Sequence, residues 1–84
     1  MTNNEIIKKI QDIIISIVPQ CSKEQICMDS NLIEDLMFDS IKLMELVVEL
    51  ENIFDIVVHE DDLTIEKIGT FSGLYNIVIK EYEK

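Results

Sequence analysis

Few residues in this chain have the makings of a chemical site. They are a single histidine, His59, two cysteines, Cys21 and Cys27, seventeen carboxylates, and a serine, Ser40, set between Asp39 and Ile41. A histidine acting as general base needs a nucleophile to serve; His59 stands in an acidic stretch with none in view. The cysteines are six positions apart, without a CxxC spacing, and read as reduced thiols. A zinc site with one histidine would have to recruit carboxylates, and a metal centre is not expected. The calcium-loop template fails from Asp29, because Ile33 and Glu34 stand where Asp or Asn and then Gly belong, and Ser40 where the bidentate Glu belongs. Phosphate-loop, dinucleotide, HExxH and GxSxG patterns are also missing. The chain does not read as an enzyme.

Asp39-Ser40-Ile41 remains, at the point where a long connection meets a helix. An Asp-Ser pair there is first of all a helix cap, a side-chain oxygen accepting from a free backbone N–H. The same place also suits a phosphate, since free N–H groups and the positive end of the dipole converge on it. A serine at that position could carry a phosphodiester, with Asp35 and Asp39 as opposing charges.

The elements that position Ser40 follow from periodicity. Ile6, Ile7, Ile10, Ile13, Ile14 and Ile17 recur on one broad helical face. Asn3 or Asn4 is the expected cap, Glu5 suits the first turn, and Pro19 stops the helix. Residues 19–39 form a long connection with Ile26, Leu32, Ile33, Leu36 and Phe38 as apolar anchors and a short helical turn near Lys23–Ile26. A second helix begins at Asp39 or Ser40, with Leu43, Leu46, Val47, Leu50 and Phe54 as its core stripe. Ile41, Met44 and Val48 lie on an adjacent face with Glu45, and so either pack under the loop or meet a partner. Glu60-Asp61-Asp62-Leu63 opens a short acidic helix, and Thr70 caps a last helix with the face Phe71, Leu74, Tyr75, Val78 and Tyr82. The fold class is all-α, a four-helix bundle with a long first loop and a short third helix, in a single domain spanning residues 1–84. Ile56–Val58 could be a strand, but it would have no partner.

Charge narrows the partners. The net charge is −10 and arginine is absent. The balance argues against nucleic acid and anionic membrane surfaces as partners, because both need cationic contacts. Between Asp29 and Asp62 stand eleven acids and one base, Lys42, so the excess is concentrated in mid-chain. That belt suits a docking surface for basic patches. The N-terminus lacks a cationic signal-peptide start and no apolar run reaches membrane-spanning length, so a cytoplasmic location is expected.

The stretch Asp35-Leu36-Met37-Phe38-Asp39-Ser40-Ile41, continuing through Leu43-Met44-Glu45-Leu46 and Glu49-Leu50-Glu51 to Phe54-Asp55-Ile56, resembles the acyl carrier protein family. The resemblance covers nearly the whole chain in helix order and register. It implies that Ser40 receives 4′-phosphopantetheine from coenzyme A, transferred by a separate phosphopantetheinyl transferase that supplies the base and the metal. The arm's thiol would then hold acyl or aminoacyl groups as thioesters. Asp39 would serve transferase recognition, while Asp35, Ile41, Met44, Glu45 and Val48 would meet partner enzymes. A monomer is expected, because a shuttle must expose its second helix.

Three departures stand out. Met37 and Phe38 replace the family's glycine and small residue, so the loop is expected to lose a glycine conformation and gain an anchor. Lys42 stands where fatty-acid carriers are often acidic, and Glu60–Ile68 is about two residues longer than theirs, by the resemblance. They favour a carrier of a specialised polyketide, nonribosomal peptide or lipid pathway over housekeeping fatty acid synthesis. An aminoacyl carrier of the D-alanyl type and an unmodified helical adaptor are the alternatives.

Overall fold

The computed structural model describes residues 2–82. Four α-helices are joined by hydrogen-bonded loops: α1 (Asn3–Ile17), α2 (Ser40–Phe54), α3 (Ile65–Ile68) and α4 (Phe71–Tyr82). No strand forms among the described residues; Asn31 and Thr70 make one isolated antiparallel bridge.

The isoleucine face of α1 faces inward, with Ile6, Ile10, Ile13 and Ile14 buried. Its cap is Thr2, one position before the expected asparagines. The Thr2 hydroxyl accepts from the Glu5 N–H and lies 3.1 Å from the Glu5 carboxylate, an i,i+3 pairing that neither asparagine makes. Val18, ahead of Pro19, is fully buried and closes the helix by donating to the Ile14 carbonyl.

The connection between α1 and α2 is tied down along its length. A 3₁₀ turn at Lys23–Gln25 falls where a short helical turn is expected. Gln11 donates to the Ile26 carbonyl at 2.9 Å, and the buried Ser30 hydroxyl accepts from Cys27 N–H while donating to the Gln25 carbonyl. Leu32 N–H reaches the Gly69 carbonyl and Phe71 N–H the Ser30 carbonyl, stitching the loop to the α3–α4 corner. Ile26, Leu32, Leu36 and Phe38 are buried and Ile33 half-buried, so all five anchors act as the spacing implies.

The core stripe of α2 is as expected, with Leu43, Leu46, Val47, Leu50 and Phe54 all buried. The helix ends on Asp55 in the left-handed conformation, and the loop beyond is held by Glu51, whose carboxylate accepts from Val58 N–H at 2.9 Å. The acidic segment Glu60–Asp62 is a 3₁₀ turn rather than the start of the third helix. The α-helix begins only after Thr64, whose hydroxyl accepts from Lys67 N–H. Thr70 caps α4 through Gly73 N–H. On α4, Ile77 joins Phe71, Leu74 and Val78 in the core, whereas Tyr82 lies at the surface. The Tyr82 ring sits edge-on against Phe54, and its hydroxyl donates to the Phe54 carbonyl.

The acidic stretch holds one buried carboxylate. Asp62 is 3% exposed and is gripped by Lys67 at 2.9 Å and by Lys80 from α4. The hydrogen bonds from Lys80 and then Lys67 hold its carboxyl at about 2, below the ordinary 3.8, against the opposing effect of burial. No arrangement of charges in the sequence singles out Asp62 from Glu60 and Asp61; its burial is decided by the 3₁₀ turn.

Candidate functional site

The loop delivers Ser40 to the surface through three successive residues with different duties. Met37 takes a left-handed backbone, φ 61°, with its side chain 75% exposed. The glycine conformation is therefore kept without the glycine, correcting the expectation that it is lost. Phe38 is buried at 3% exposure and donates its N–H to the Leu32 carbonyl, so it is the anchor expected. Asp39, extended at φ −105° and ψ −179°, is the N-cap of α2, its carboxylate accepting from Lys42 N–H at 2.9 Å.

Because Asp39 fills the cap, Ser40 is the first residue of the helix, exposed, with its hydroxyl not needed for capping. The fifteen-residue α2 begins directly at that hydroxyl, so its free N–H groups favour a negative group there. Asp35 is exposed but engaged, one carboxylate oxygen accepting from Asn31 N–H at 2.9 Å. Asn31 in turn caps Ile33 and Glu34, so this acid helps to shape the loop before Ser40.

Ile41, Met44 and Val48 are 70%, 50% and 50% exposed, so they do not pack under the loop. Together with Ser40 they form one wall of a groove whose other wall is Ser16 and Ile17, at the end of α1. Glu45 and Glu49 edge it. The structure thus brings four expected residues, Ile41, Met44, Glu45 and Val48, into one surface that contains Ser40. Ser16 and Ile17 were not anticipated, since Ile17 reads as core in the α1 periodicity and Ser16 carries no signal. Asp35 is separate from this groove.

His59 has no part in the site: its imidazole lies 3.1 Å from the Glu81 carboxylate. Both cysteines are free thiols, and among the described residues no cluster of His, Cys, Asp and Glu could hold a metal ion. Likewise no helix is long and apolar enough to cross a membrane.

The serine at the head of this acid-edged, apolar helix has an exposed hydroxyl that the cap leaves unused. Residues 8–77 match the family profile described as a phosphopantetheine attachment site. The chain is a carrier and not an enzyme, and its prosthetic group is a covalent 4′-phosphopantetheine. It is 40% identical over 81 residues to the acyl carrier proteins of Chlorobium phaeovibrioides and Chlorobium luteolum, covering 96% of this chain and 100% of each of those. It is 38% identical to the acyl carrier protein of Cyanidium caldarium, covering 94% of this chain and 88% of that one. The chain belongs to the acyl carrier protein family.

The residues present fit the group. An exposed hydroxyl not spent on the cap can form a phosphodiester, and the helix start offsets part of its charge. When bound, 4′-phosphopantetheine supplies a terminal thiol on which acyl groups travel as thioesters.

Proposed function

We propose that Ser40 is the attachment residue and that the chain, as a monomeric single domain in the cytoplasm, carries acyl groups for a specialised polyketide, nonribosomal peptide or lipid pathway. The observation that carries the attachment is the division of labour between Asp39 and Ser40: the first caps α2, leaving the second exposed at the helix start. In the transfer, the Ser40 Oγ–phosphorus bond forms as the pyrophosphate bond of coenzyme A breaks. Adenosine 3′,5′-bisphosphate leaves, and the serine proton passes to a base on the transferase. Asp39 keeps the helix start rigid while the transferase engages it.

Ile41, Met44 and Val48, with Glu45 beside them, are the surface for partner enzymes carrying basic patches. Acids outside the contact steer encounters, and a small apolar contact lets each complex part again. The specialised role is supported by Lys42, the one base between Asp29 and Asp62, and, by the family resemblance, by the stretch Glu60–Ile68, about two residues longer than in fatty-acid carriers.

The test is loading of the arm-bearing protein. Malonyl, longer acyl and aminoacyl donors are offered with their respective activating enzymes, and the thioester product is read by mass. Acyl loading by enzymes of a specialised pathway, with poor loading by fatty acid synthase enzymes, is the expected result. Efficient fatty acid synthase loading would return the chain to a housekeeping role, and loading by aminoacyl donors alone would make it an aminoacyl carrier.

A further inference from the structure

We propose that Met37 and Lys42, which bracket Ser40, are the two side chains by which the cognate transferase selects this carrier, and that the enzyme meets them with an apolar recess and an acidic group. The proposal rests on Ser40 being the attachment residue. It comes from two local states on either side of that serine that the fold itself does not reward.

Lys42 is the third residue of α2, so its charge lies in the first turn, where the helix dipole disfavours a cation. Glu45, three positions on, is within reach of an i,i+3 pair, yet among the described residues Lys42 makes no ion pair. Its ammonium is not buried either. Lys67 and Lys80, by contrast, both close on Asp62. Lys42 is thus an unspent cation, and the one base between Asp29 and Asp62.

Met37 stands three positions before Ser40 in a left-handed backbone, φ 61°, with its side chain in solvent. Leu36 and Phe38 on either side are buried, and both donate to the Leu32 carbonyl, at 3.2 and 2.9 Å. The turn is clamped from both sides, so the methionine is held out as an apolar knob beside the exposed acids Glu34 and Asp35. Backbone strain kept by over-determined surroundings, without packing to offset it, is found at sites that meet a partner.

The position of the pair names the partner. Later enzymes work at the thiol, a full arm's length from Ser40, whereas the transferase must bring coenzyme A to the Ser40 hydroxyl and so covers the residues next to it. Charge complementarity places an acid of that enzyme opposite Lys42. An enzyme whose basic patch continues over Lys42 meets like charge and is rejected. The flexible thioether of Met37 fills an apolar recess on the same enzyme.

The transferases of the source organism are each offered the wild-type chain with coenzyme A, and the one with the highest kcat/KM is used for the variants. Lys42→Glu is expected to lower kcat/KM about tenfold or more, through KM, with Lys42→Arg close to wild type. That gap should shrink between about 0.05 M and about 0.5 M salt. Met37→Gly should lower kcat/KM about fivefold, independently of salt. Both variants relieve an unfavourable local state, so they should unfold at higher urea than wild type, which separates recognition from a structural role. Unchanged kcat/KM in either variant, or a Lys42→Glu loss that salt leaves intact, overturns the proposal while the carrier reading stands. A folded wild type that takes no arm from any of these transferases, while a known carrier is modified alongside, overturns the carrier reading and the proposal with it.

Discussion

The carboxylate of Asp39 accepts the Lys42 N–H at 2.9 Å, and this bond puts the capping of α2 on Asp39 rather than on Ser40. The two neighbouring residues should therefore respond differently to truncation. Asp39→Ala is expected to cost about 1 kcal/mol, the ordinary value of a lost cap, whereas Ser40→Ala should stay within about 0.5 kcal/mol of wild type. Urea denaturation of both variants checks this. Equal losses would mean that the serine hydroxyl shares the cap.

Met37 holds a left-handed backbone with its side chain in solvent, so it bears the steric cost of that conformation with little packing in return. Met37→Gly should raise the unfolding free energy by about 0.5–1 kcal/mol after the added flexibility of the unfolded chain is subtracted. A loss of stability on this substitution would show that the methionine makes a compensating contact.

Asp62 makes stability depend on acid pH in a defined window. Its folded value of about 2 lies below the ordinary 3.8, so its contribution is complete above the higher value and is lost as pH falls through the lower. That contribution is on the order of 1–2 kcal/mol, reduced by solvent screening of the half-exposed lysines. The stability gap between wild type and Asp62→Asn should therefore narrow as pH falls from about 6 to about 2. A constant gap over that range would mean that the two lysines do not act through the charge of Asp62.

Gly73 marks the tightest approach in the α3–α4 corner, where an added Cβ would lie 1.8 Å from the Lys67 carbonyl oxygen. Backbone must move to admit it, so Gly73→Ala is expected to destabilise by about 1–3 kcal/mol. Thermal unfolding measures this directly, and a neutral result would show that the corner opens freely.

These residues mark where the sequence is legible and where it is not. The α2 stripe from Leu43 to Phe54 and the isoleucine face of α1 follow from helical spacing alone; the whole stripe is buried, and so are Ile6, Ile10, Ile13 and Ile14 of the α1 face, while Ile7 and Ile17 are half-buried. The loop anchors Ile26, Leu32, Leu36 and Phe38 were visible because isolated apolar residues in a polar loop need somewhere to go. The burial of Asp62, the close approach at Gly73 and the Ser16–Ile17 wall of the groove all depend on which segments meet in space. Spacing along one segment carries no information about them. Ser40 was legible as a helix start, but its freedom from capping required the placement of Asp39.

The most direct test of the central claim is the intact mass of the protein before and after incubation with coenzyme A and a broad-specificity phosphopantetheinyl transferase, with Ser40→Ala alongside. The account predicts a gain of one phosphopantetheine on the wild type and none on the variant, both remaining folded. A variant that gains the arm as the wild type does, or a folded wild type that gains none while a known carrier is modified in parallel, would contradict it.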